Sequence, residues 1–171
     1  MNKPFMDTRR IRRVLAALLT LGLALAGIDA QASIRCTVSS SGMAFGSYDP
    51  SDTAPTDSNG SVVVSCANSS GSTTSVSAVL KLDAGSYRSF AARRMQRGGG
   101  QTLDYNLYRD SARSQIWGAD SGGYSSGTLS LTGIAKNQSK NGTFTVYGRI
   151  PALQNAVAGS YSDNVTITLT P

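Results

Sequence analysis

Residues 142–171 read GTFTVYGRIPALQNAVAGSYSDNVTITLTP, and their alternation decides the fold class. In the first half, Phe144, Val146 and Ile150 share one parity, while Thr143, Thr145, Tyr147 and Arg149 take the other. In the second, Val165, Ile167 and Leu169 alternate with Thr166, Thr168 and Thr170. Successive side chains on a strand point to opposite faces, so each run predicts a strand with one buried and one wet face. The sequence ends one residue after Thr170, and the expectation is a final strand with one edge unpaired by its own chain.

The same period recurs upstream. Val62, Val64 and Cys66 share a face, as do Val76, Ala78, Leu80 and Leu82, then Leu103, Tyr105 and Leu107, then Leu129 and Leu131. Ile34 to Val38 reads as a short strand that Met43 to Gly46 resumes, and Phe90 to Met95 as a short edge strand. Tyr48 to Asn59 (YDPSDTAPTDSN) reads as a loop, Asn59-Gly60 as a turn, and Lys136 to Asn141 as a polar turn. Eight or nine short strands with no helical run of ten predict an all-β, antiparallel sandwich, with a barrel as the alternative.

The first 32 residues stand apart. Arg9, Arg10, Arg12 and Arg13 precede an apolar run from Val14 to Ala26, and Ala30-Gln31-Ala32 is a small-x-small cleavage site. This is the pattern of a secretory signal peptide over 1–32, cut after Ala32; the apolar run is shorter than the ~20 residues of a membrane span. Residues 33–171 then form one domain. Removing the signal takes five of the 16 basic residues and two of the ten acids, leaving 11 against 8, a charge of +3. That charge does not argue for nucleic acid. Export also decides the reading of the two cysteines: Cys36 and Cys66 pair as a disulfide. Closing a loop of about 30 residues stabilises by roughly 3–4 kcal/mol on the chain-entropy argument.

The sequence contains no His and no Glu. Ser-His-Asp and Cys-His catalysis need an imidazole, and zinc sites lean on His and Cys, so neither an enzyme nor a metal or other cofactor is expected. Asp49, Asp52 and Asp57 share a loop, but at no calcium-loop spacing. Gly98-Gly99-Gly100 lacks the Lys-Ser/Thr of a phosphate loop, so no small-molecule substrate is implied. Arg88, Arg93, Arg94 and Arg97 read as a basic patch on a solvated edge. Tyr108, Trp117 and Tyr124 are the candidate adhesive surface of a monomeric secreted carbohydrate- or surface-binding module, the rival to an assembly role; aromatics of a small sandwich also serve as core.

Three stretches resemble the spore coat protein U domain family. They are Leu103-Asp104-Tyr105-Asn106-Leu107-Tyr108-Arg109-Asp110 with Arg113 and Trp117-Gly118; Val146-Tyr147-Gly148-Arg149-Ile150-Pro151-Ala152 with Ala158-Gly159-Ser160-Tyr161-Ser162-Asp163; and Cys36, Phe45-Gly46-Ser47-Tyr48-Asp49-Pro50 and Cys66. The resemblance implies a subunit of an archaic chaperone–usher pilus or surface coat, exported to the periplasm and then the cell surface. It implies an immunoglobulin-like sandwich missing its last strand, completed first by a periplasmic chaperone and, after passage through an outer-membrane usher, by another pilus subunit. On that reading Ile34, Val38, Val165, Ile167 and Leu169 line the acceptor groove. Two departures stand out. Only Ser33-Ile34-Arg35 separate the predicted cleavage site from Cys36, which suggests a subunit with no strand to donate, placed at the fibre tip. Leu153 and Asp120 stand where the family pattern leads one to expect Gly.

Overall fold

The computed structural model describes residues 34–171; the predicted signal peptide and Ser33 lie outside them. Eight strands follow in order: β1 (Ile34–Ser40), β2 (Thr56–Asn68), β3 (Thr74–Leu82), β4 (Arg93–Gln96), β5 (Thr102–Tyr108), β6 (Gly127–Ile134), β7 (Ser139–Ile150) and β8 (Ile167–Thr170). Every pairing is antiparallel. One sheet has the order β1-β2-β7-β5-β4 and the other β6-β3-β8, the arrangement of an immunoglobulin-like sandwich. No strand ladder closes one sheet onto the other among the described residues, so the barrel alternative is set aside.

Parity places the core. Val62, Val64 and Cys66 of β2, Leu80 and Leu82 of β3, and Val146 and Ile150 of β7 turn inward and are buried. Trp117 fills the space between them, meeting the Phe144 ring edge-on at 5.3 Å between centroids. Its indole Nε1 donates to the Leu80 carbonyl at 3.0 Å, which satisfies the one polar group of a buried tryptophan.

Several predicted features take a different form: β2 begins at Thr56, inside the predicted loop of Tyr48 to Asn59, and β7 at Ser139, inside the predicted polar turn of Lys136 to Asn141. Asn59-Gly60 is not a turn. β2 runs through it, with Asn59 opposite Tyr147 and Gly60 opposite Val146. Glycine is needed there because a Cβ would sit 2.6 Å from the Gly42 carbonyl oxygen. Met43 to Gly46 does not resume β1 either. It is irregular chain outside any ladder, with Gly42 before it and Gly46 at its end at φ +70° and +77°. Those left-handed values suit glycine and turn the segment out of β1.

Arg93 is a correction of another kind: it belongs to no solvated patch, being fully buried in β4. Its Nε and Nη2 both donate to the Asp83 carbonyl, Nη2 also to the Trp117 carbonyl at 2.7 Å, and Nη1 to Asn106 Oδ1 at 2.7 Å. Asn106 Nδ2 in turn donates to the carbonyls of Phe90 and Ala91. One guanidinium therefore ties the end of β3, the chain before β4, β5 and the Trp117 turn together. Replacing it strands several buried acceptors, each worth ~1–3 kcal/mol. Arg93→Leu is expected to lower stability by about 3–5 kcal/mol. Arg93→Lys should rescue little, because a point charge cannot span the fork of acceptors. Guanidinium denaturation of the two variants checks both statements.

Candidate functional site: a half-covered edge between the sheets

Interior side chains lose cover at one pair of edges. In β8, Leu169 pairs with Leu80, and Ile167 with Leu82. The β3 partners are 0% and 2% exposed, yet Ile167 and Leu169 are only half-buried, as is Val165 just ahead of them. The other sheet repeats the contrast. Val38 pairs with Val64 and Cys36 with Cys66. Both β2 residues are 0% exposed, while Ile34, Cys36 and Val38 on β1 are half-buried. Among the described residues β1 pairs only with β2, and β8 only with β3. The two remaining edge strands are better covered: Arg93 and Met95 of β4 and Leu131 and Ile134 of β6 are buried, and only Leu129 of β6 is half-buried.

A cleft of about 350 Å³ opens between the end of β1 and the start of β8. Met43 and Phe45 stand on one side, Tyr161, Val165 and Ile167 on the other, over a floor of Val62, Leu107 and Val146. A second cleft of about 660 Å³ adjoins it, sharing Met43, Phe45, Met95 and Tyr161. Met43 and Phe45 hold their position by lying on Gly148: a Cβ there would run into the Met43 sulfur and, at 2.7 Å, into the Phe45 ring. The Phe45 ring also meets Tyr105 edge-on at 5.9 Å.

Of the five predicted groove residues, Val165 and Ile167 line the first cleft. Leu169, Ile34 and Val38 share its inward parity but line neither cleft. Met43, Phe45 and Tyr161, which parity within strands could not reveal because they lie outside strands, form much of the wall. The Cys36–Cys66 disulfide is present and staples edge strand β1 to β2. The candidate adhesive trio does not form one surface. Trp117 is 1% exposed and is core, for the packing reason given above. Tyr108 is half-buried beside Tyr147, and Tyr124 stacks on Phe90 at 5.5 Å.

Polar residues fix the ends of the cleft. Asp163, one of its lining residues, accepts from Tyr105 Oη at 2.7 Å and from the backbone N–H groups of Ser86 and Asn164. Burial, reinforced by the Asp163 carboxylate, pushes the Tyr105 hydroxyl well above its usual range, so it stays a neutral donor. Farther off, Arg149 grips Asp57 with two bonds of 2.8 and 2.9 Å across the β2–β7 ladder, and Arg113 adds an ion pair of 3.3 Å. The hydrogen bond from Arg149 holds the Asp57 carboxyl below the ordinary range. Asp49 is likewise spent on Ser51, so the loop acids do not converge.

The spore coat protein U domain model matches residues 23–168. The chain belongs to the spore coat protein U domain family. No curated protein matches it. Among solved structures, the crystal structure of the CsuC–CsuE chaperone–tip adhesion subunit pre-assembly complex from archaic chaperone–usher Csu pili of Acinetobacter baumannii is similar at a TM-score of 0.47 and 18% identity. The match covers 80% of this chain, which spans 39% of the length of that one.

The two residues that stand where the family pattern leads one to expect Gly share a backbone conformation. Asp120 and Leu153 both adopt left-handed backbone, at φ +58° and +57°. Asp120 offsets the strain by accepting from Ser126 N and Oγ. Leu153 is 63% exposed and gains no comparable packing. A bulky residue there costs ~1–2 kcal/mol, against ~0.5–1 kcal/mol for the greater chain entropy of glycine. Leu153→Gly is therefore expected to raise stability by up to about 1 kcal/mol. Gly148→Val should lower it by about 1–3 kcal/mol by driving Met43 and Phe45 off the floor. Thermal unfolding of the two variants, with opposite signs expected, tests the assignment.

Proposed function

We propose that this chain is an exported, non-enzymatic subunit of an archaic chaperone–usher pilus or surface coat, and that the edges of β1 and β8 accept a strand from another molecule. One observation carries the reading. Inward apolar side chains are half-covered on both sheets at the same pair of edges, while their ladder partners are buried. A strand laid along β8 would satisfy its free N–H and C=O groups and cover both rows, which is β-augmentation. The partners that fit are those the family resemblance implies: a periplasmic chaperone first, an outer-membrane usher on the way out, and a neighbouring subunit last. Placement at the fibre tip is part of the proposal. From Ile34 onward β1 is laddered to β2 and stapled through Cys36, so no described residue is free to be given away. The rival binding-module reading loses its aromatic face with the burial of Trp117.

The test is purification with and without a chaperone of this class. Alone, the chain should self-associate or be degraded; with the chaperone, or an alternating apolar peptide, it should give a soluble one-to-one complex. Ile167→Asp should abolish that complex, and Thr168→Asp on the outer parity should spare it. A stable monomer with no affinity for strand peptides would overturn the reading. Tip placement fails separately, if the N-terminus of this chain completes a second subunit in a mixture.

A further inference from the structure

One end of the sandwich carries the net charge of the whole molecule, and we infer that it binds an acidic polysaccharide, a sugar chain bearing carboxylates. Of the 11 basic residues in 33–171, Arg35, Lys136 and Lys140 stand where β1 begins, β2 ends and β6 turns into β7. The eight that remain equal the eight acids in number, so the rest of the molecule sums to zero. The ladders bring the three together. Arg35 and Ser139 both pair with Ala67, so the starts of β1 and β7 flank β2 about 10 Å apart. Lys140 follows Ser139. Lys136 precedes Asn137 and Gln138, which bond the Asn68 carbonyl and N–H at 2.9 Å. All three cations are exposed.

No carboxylate answers them. β1, β3, β6 and β7 contain no Asp or Glu, and the one acid of β2, Asp57, lies ten positions and ~33 Å of extended chain from Ala67. Elsewhere the surface cations find partners: Lys81 pairs with Asp120, Arg94 with Asp104, and Arg113 and Arg149 with Asp57. Charges spaced on the scale of the Debye length, ~8 Å at physiological salt, act on one ligand together.

The surface beside the cations names the class of anion. Arg35 lies on the outer face of β1, where Thr37, Ser65 and Asn141 form the next row across β1, β2 and β7. Hydroxyls and an amide next to cations hydrogen-bond sugar hydroxyls while the cations take the carboxylates. Residues 34–40, 62–77 and 130–143 include no aromatic ring on which a nucleobase could stack, which puts nucleic acid second. The outer face points away from the cleft between β1 and β8, so a strand held at those edges leaves this end open.

The test measures binding of the full mature chain to polygalacturonate, with dextran as the neutral polymer and duplex DNA as a second polyanion. Polygalacturonate should bind at low salt and weaken as salt rises, and dextran should not bind. The double variant Arg35→Gln, Lys136→Gln should weaken binding about tenfold or more and lower the log–log salt slope by about two. Lys140 is left in place because it bonds the Thr132 carbonyl. Arg88→Gln removes an exposed cation from the turn after Gly85 and should change nothing. Duplex DNA has the denser charge, one per ~1.7 Å, so charge alone would favour it. Binding of polygalacturonate as tight as DNA, reduced severalfold by Asn141→Ala, supports the polysaccharide. Failure to bind polygalacturonate, an equal loss from Arg88→Gln, or tighter binding of DNA overturns the inference, and none of these bears on the acceptor edges.

Discussion

A strand edge needs a hydrogen-bonding neighbour, and an apolar sheet face needs a second layer; at β1 and β8 both requirements go unmet among the described residues. The shortfall is local. One strand further in, Val64, Cys66 and Leu80 are 0% exposed, so cover fails over a single strand's width on each sheet. A loosely packed sandwich would show half-buried residues throughout. What marks the strip about one strand (~5 Å) wide at β1 and β8 is that every apolar residue on its strands is half-covered, whereas Val76, Leu129 and Phe144 are single inward cases on β3, β6 and β7. The rest of the molecule holds that strip in shape.

Buried polar groups do much of the holding. Arg93 joins four pieces of chain through the carbonyls of Asp83 and Trp117 and, by way of Asn106, those of Phe90 and Ala91. At the other end of the core Asn68 does the same with an amide: Nδ2 donates to Ser72 and Ile134 carbonyls, and Oδ1 accepts from Ser70 N and Oγ. Gln154 extends the sheet by side chain alone, its Oε1 accepting from Asp104 N and its Nε2 donating to Asp104 O, as a neighbouring strand would. Such groups cost more when half-satisfied than apolar ones, so they fix one arrangement of the chain. On the proposed acceptor reading few apolar contacts are spare at the open edges, and specificity from hydrogen bonds suits the chain.

Much of the architecture was legible because inward and outward residues alternate on β3 and β7, where one face is core and the other more exposed. What was not legible has long-range causes. Asn59-Gly60 carries turn chemistry, yet the glycine serves the close approach of Gly42 from a segment 18 positions earlier. Arg93 looked like its neighbours in an arginine-rich stretch, and only the convergence of Asp83, Asn106 and Trp117 makes its burial tolerable. For the cleft, parity could assign Val165 and Ile167 to an inward face. It had nothing to say of Met43 and Phe45, which reach the interior from irregular chain because Gly148 leaves them room.

On the proposed acceptor reading, the chain must also avoid pairing at the wrong edge. β6 is the other edge of the three-stranded sheet, and two cations attend it: Lys140 Nζ donates to the Thr132 carbonyl at 2.7 Å, and Arg109 Nη1 to Ser126, just ahead of the strand, at 2.9 Å. Carbonyls already bonded to charged donors make a poor template for an incoming strand. At β4 the chain supplies its own cover, since Gln96 and Ser162 exchange backbone hydrogen bonds of 2.8 and 3.0 Å. Among the described residues β8 shows neither device along its free edge: the side chains bonded to the backbone leading into it, Asp163 to Asn164 N and Asp83 to Thr166 N, come from that same segment and from the end of β3. On the proposed acceptor reading, that asymmetry favours pairing at β8 over pairing along β6 or β4.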